Sequence, residues 1–82
     1  MTANHLCALL SSLDAVGDYL LPHDTLFADV NLRLSERITP TEFESLLRGQ
    51  EEKHRIISQR DEFGKLKYKI TDNGRARLAE LR

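Results

Sequence analysis

The sequence predicts a small α+β domain, mainly α, in which three helices are followed by a β-hairpin and a closing helix. Three observations predict it. Apolar residues recur at intervals of three and four through the first part of the chain, the spacing of one helix face. From Ile56 the period changes from helical to alternating, strictly so along Lys65 to Ile70, with a break around Gly64, as in two strands joined by a tight loop. Thr39 and Thr71 each stand directly before a helical segment, where a side-chain oxygen caps the first free amides.

The first helix is carried by Leu6, Leu9, Leu10, Leu13 and Val16, with Asn4 or Thr2 as its cap. Gly17 and Asp18 break it, and Tyr19 to Leu21 reads as a short extended piece. Pro22 opens a second helix over His23 to Leu34, with Asp24 and Thr25 in its first turn and an apolar stripe of Leu26, Phe27, Val30 and Leu34. Ser35, Glu36 and Arg37 form the connection. The third start is the clearest in the chain. Thr39 caps, Pro40 fits the first turn, and Glu42 completes a capping box, while Ile38 is placed to pack on Phe43 as a hydrophobic staple. Phe43, Leu46, Leu47 and Gln50 share the inner face of this helix, which ends around Lys53 to Arg55. Gly49 in its interior costs roughly 0.5–1 kcal/mol against alanine, so it marks either a close backbone approach or a weak spot.

Ile56 to Arg60 reads as a strand and Asp61 to Gly64 as the hairpin loop, Gly64 supplying a positive φ. Along Lys65 to Ile70, Leu66, Tyr68 and Ile70 point one way and Lys65, Lys67 and Lys69 the other. Thr71 then caps a last helix over Asp72 to Leu81, with Asp72 at the positive end of the dipole. Leu78 and Leu81 give it an apolar face, and Ala76 and Ala79 are expected to allow close packing.

Composition bounds the function. Eighty-two residues fit one domain, 1–82, which buries roughly 60–65% of its unfolded surface and so needs an economical core. With 40% hydrophobic and 30% charged residues, the chain is globular rather than disordered. A single cysteine, Cys7, rules out an intrachain disulfide and suits a reducing compartment. Residues 1–4 lack the cationic and apolar regions of a secretion signal, and no apolar run is long enough to span a membrane, so a cytoplasmic location is expected. Net charge is −1, yet it is unevenly spread. Residues 1–47 hold two arginines against seven acids; residues 48–82 hold ten Lys and Arg against six. That gives one acidic and one basic end and hints at an electrostatic partner.

No catalytic or cofactor signature stands out. His5, His23 and His54 lie in separate elements, none at metal-ligand spacing with another ligand or with Cys7. Cys7 reads as a small core residue. Phosphate-binding glycine loops, nucleophile elbows and dinucleotide fingerprints are not found, and no carboxylate pair suggests general acid–base work. A binding module without a cofactor is expected, not an enzyme.

Tyr68-Lys69-Ile70-Thr71-Asp72-Asn73-Gly74-Arg75-Ala76-Arg77-Leu78 resembles the Y-x-I-T-x-x-G-x-x-x-L ending that closes the wing in many bacterial winged-helix (winged helix-turn-helix) proteins. Arg55-Ile56-Ile57, running from a helix into a charged hairpin, is similar to that family too. The resemblance implies a winged helix: a three-helix core, a β-hairpin wing and a C-terminal helix. It also implies a mode of action, in which the third helix enters the major groove of double-stranded DNA and the wing touches the backbone, as in a transcriptional regulator or accessory factor. On this sequence the reading face would be Thr41, Glu44, Ser45, Arg48 and Glu52, and the wing would supply Arg60, Lys65, Lys67 and Lys69. Arg48 would reach a guanine edge, Ser45 a base or phosphate, and the lysines phosphates.

The sequence departs from that pattern in its third helix. Glu42, Glu44, Glu51 and Glu52 outnumber Arg48 and Lys53 there; Glu42 is committed to the cap, and Glu51 is spaced to pair with Arg55. The lysine alternation is equally what a solvated strand face requires. For Arg75 and Arg77 a solvated surface is expected. A protein-interaction module that docks through the helices or wing edge of the same fold is therefore the alternative to DNA binding, and a homodimer paired through the first and last helices is compatible with both.

Overall fold

The structure is a computed structural model that describes residues 3–82. Its elements run α1 (Ala3–Asp14), β1 (Leu21–Pro22), α2 (His23–Arg33), α3 (Pro40–Glu52), β2 (Ile56–Arg60), β3 (Leu66–Ile70) and α4 (Asp72–Leu81). The three strands form one antiparallel sheet in the order β1-β3-β2. This α+β architecture, with its hairpin after the third helix, is consistent with a winged-helix-like small domain.

Helix α1 already includes Asn4 in its first turn, so Asn4 is not its cap; Thr2 lies outside the described residues. Leu9, Leu10 and Leu13 are fully buried, as their spacing requires, while Val16 sits in the turn beyond the helix and packs on the core edge. The extended piece falls slightly later than the sequence suggests. Leu21 pairs with Tyr68 and Pro22 with Lys67, and Pro22 also serves as the N-cap residue of α2. In the connection to α3, the Ile38 amide donates to Asn31 Oδ1 at 2.8 Å, holding the turn in a stretch without glycine.

Helix α3 has the expected capping box. The Glu42 amide donates to Thr39 Oγ1 at 3.2 Å, and the Thr39 amide to Glu42 Oε1 at 3.0 Å. Phe43, Leu46, Leu47 and Gln50 are buried beneath it. The helix ends in a Schellman arrangement: the His54 amide donates to the Glu51 carbonyl and the Arg55 amide to the Gln50 carbonyl, both at 3.0 Å. His54 takes the left-handed conformation, φ 57°, that glycine usually fills. Gly49 has no atom within 4 Å of where a Cβ would stand, so it marks a weak spot rather than a close approach.

The closing motif works as a clamp. Thr71 caps α4 through the Gly74 amide at 3.0 Å, and its own hydroxyl donates to the His54 carbonyl at 2.7 Å. The Thr71 amide reaches the Arg55 carbonyl, and Asn73 Nδ2 reaches the Lys53 carbonyl. A Cβ on Gly74 would collide with the Arg55 carbonyl oxygen and stand 2.7 Å from Ile70 Cγ1. The close approach expected of Ala76 and Ala79 is thus made by Gly74, and both alanines face solvent. Arg75 differs from the expected solvated residue as well. It lies within 3.2–3.5 Å of Asp14, Asp18 and Asp72, tying α4 to the end of α1. Arg77, half-buried, pairs with Glu80.

Candidate nucleic-acid interface

Two polar surfaces carry the residues that the sequence nominates. On α3, Thr41, Ser45, Arg48 and Glu52 stand at intervals of four, three and four, opposite the buried face, and all four are exposed. They form one outward ridge. Glu44 and Glu51 flank it on the side toward the hairpin. Burial pushes the Tyr68 phenol above its ordinary 10.0, and the carboxylates of Glu51 and Glu44 push it the same way, so these acids lie within electrostatic reach of β3. Beside the ridge, His5, Thr41, Glu42 and Ser45 line a shallow depression of about 290 Å³.

The hairpin carries the second surface. The register sets Ile57 opposite Lys69 and Gln59 opposite Lys67, so these four side chains share the outer face of the sheet, and Lys65 continues their alternation. Tyr68 and Ile70 point inward and are buried. Tyr68 meets His23, whose Nδ1 lies 3.4 Å from the phenol oxygen, and His23 in turn packs edge-on against Phe43 at 5.2 Å between ring centroids. This aromatic seam anchors the hairpin to α2 and α3.

Arg60 separates from the lysines. It pairs with Leu66 on the opposite face of the hairpin, and its guanidinium donates to the Gly64 carbonyl at 2.8 Å. Asp61 completes the loop, its Oδ1 accepting from the Phe63 and Lys65 amides at 2.9 Å each, with Gly64 at φ 77°. These bonds hold the Asp61 carboxyl below its ordinary 3.8. These bonds brace the loop, which presents Phe63, 79% exposed, to solvent. The sequence places Phe63 only within a loop, and nothing in its neighbours tells an outward from an inward ring.

The salt bridges among the described residues engage Arg33, Arg75 and Arg77, not Arg48, Lys65, Lys67 or Lys69. The expected Glu51–Arg55 pair does not form. Arg55 donates instead to Gln50 Oε1 at 2.9 Å, because the left-handed turn at His54 swings it off the helix. No group of three metal-ligating side chains converges among the described residues, and no helix there is long and apolar enough to cross a membrane. No family model matches the chain, and a search of curated proteins returns no significant match.

Proposed function

We propose that this chain is a non-catalytic winged-helix module that binds double-stranded DNA, anchored by the hairpin. The observation that carries the reading is the outer face of the sheet. Three lysines in strict alternation stand there, and none of them is in a salt bridge among the described residues. An anionic backbone supplies the missing partner, with affinity but no sequence reading from these contacts. The α3 ridge of Thr41, Ser45 and Arg48 is the reading element, Arg48 having the reach and donor geometry for a guanine edge.

A protein-interaction module is the second reading, favoured by Glu44, Glu51 and Glu52 on the surface of α3 and by the outward ring of Phe63. Substitution separates the two. In fluorescence anisotropy with a labelled random duplex at low salt, Lys65→Ala with Lys67→Ala is expected to weaken binding at least tenfold. Glu44→Gln with Glu52→Gln should strengthen it, since both carboxylates repel an approaching phosphate. Wild-type chain that fails to bind duplex at low salt would reject the DNA reading and leave the protein-interaction reading standing.

A further inference from the structure

The two edges of the sheet are built differently. At one edge β1 is only two residues long and ends in Pro22, which has no amide to offer, with α2 beginning at once. Short length and proline are devices that blunt an edge against pairing. At the other edge β2 is regular over five residues, with no bulge, glycine, proline or lysine. Four of its five residues, Ile57 to Arg60, are exposed.

The direction of its free backbone groups follows from the bonds that bracket it. The Thr71 amide bonds the Arg55 carbonyl, and the Asp61 amide bonds the Lys65 carbonyl. In an antiparallel ladder the bonded pairs alternate, so Ile57 and Gln59 spend their backbone groups on β3. Ile56, Ser58 and Arg60 turn theirs outward.

We propose that β2 is a self-association edge, pairing antiparallel with β2 of a second copy about a two-fold axis at Ser58. Ile56 then faces the second copy's Arg60, Ser58 faces Ser58, and about six backbone hydrogen bonds form. A register centred on Ile57 forms fewer, since it would draw on His54, whose left-handed backbone is not a strand. Three features select a second copy as the occupant. The centre of the edge is uncharged, so its self-pairing meets no repulsion. The two Ile57 side chains, each 44% exposed, become diagonal neighbours and cover one another. Each Arg60 crosses to the inner face beside Ile56, on the side where Glu51 near the end of α3 flanks the hairpin, so opposite charges approach across the axis. The lysines stay three strands apart across the junction, about 14 Å, beyond the Debye length at physiological salt. Their faces join into one lysine-bearing surface on a continuous six-stranded sheet. The inference stands independently of the DNA reading.

Sedimentation velocity on the full chain over a concentration series is the test. The interface is small, so the expected result is a concentration-dependent rise from monomer toward twice the monomer mass. Ser58→Pro removes only an outward amide, leaving the β2–β3 ladder intact, and should stay monomeric at every concentration with an unchanged circular dichroism spectrum. As a second variant, Ser58→Cys in a Cys7→Ser background puts two thiols at a bonded pair, about 5.5 Å between Cα atoms and within disulfide range. It should cross-link on mild oxidation faster than a Ser35→Cys control. A wild-type chain that is monomeric throughout, a dimer that survives Ser58→Pro, or cross-linking no faster than the control would each overturn the proposal.

Discussion

Gly74 and Gly49 are chemically identical and stand in the same kind of element, yet the structure gives them opposite roles. At Gly74 the obstacle to a side chain is the Arg55 carbonyl, which is fixed by its bond from the Thr71 amide. Backbone cannot swing aside as a side-chain tip can. Gly74→Ala is therefore expected to cost about 2–3 kcal/mol through overpacking, lowering the melting temperature by roughly 10–20 °C. At Gly49 the same methyl meets open space within a helix, so Gly49→Ala should stabilise by about 0.5–1 kcal/mol. Thermal unfolding followed by circular dichroism checks both, and the opposite signs are the prediction. Gly74 is marked in the sequence only by its place in the motif that closes the hairpin, and nothing there names the carbonyl it meets. For Gly49 both readings were open, because an isolated glycine in a helical pattern carries no record of what lies beside it.

At the scale of elements, the motifs that rest on local chemistry were readable and those that rest on tertiary neighbours were not. Thr39, Pro40 and Glu42 fix the start of α3 by contacts within four residues, and the alternation through Tyr68 fixes the face of β3. The end of α3 was blurred because His54, not glycine, occupies the left-handed position. The seam of His23, Tyr68 and Phe43, the three carboxylates around Arg75 and the place of Arg60 behind the lysines all depend on residues far apart in sequence. Two local devices also contribute to the acid stability. Hydrogen bonds from Thr39 hold Glu42 below its ordinary 4.5, and those from Lys65 and Phe63 hold Asp61 below its ordinary 3.8. Both pKa values are depressed by folding, so both groups stabilise the fold fully above their unfolded values, and that contribution is lost as pH falls through the folded ones. The urea midpoint should be flat above the ordinary Glu value and fall below it. Glu42→Gln and Asp61→Asn, which keep an acceptor oxygen without the charge, should each flatten that acid limb.

The sequence is polarised, acidic over its first 47 residues and basic over the rest, and folding sets Lys67 and Lys69 on one sheet face, an alternation that Lys65 continues. Among the described residues the salt bridges go to Arg33, Arg75 and Arg77, not to the lysines of that face. Pairing at β2 would double it without adding a residue. The α3 ridge tempers the picture, since Glu52 shares it with Arg48 and Glu44 flanks it. Salt dependence separates a phosphate-contacting surface from an ordinary solvated one, because each contact releases counterions. The deciding measurement is anisotropy of a labelled random duplex titrated with the wild-type chain at about 50 and 200 mM salt. If Lys65, Lys67 and Lys69 each neutralise a phosphate, affinity should fall roughly fortyfold between the two conditions, a slope of about −0.9 per contact. Duplex binding that is undetectable at the lower salt, or unchanged between the two, would contradict the account.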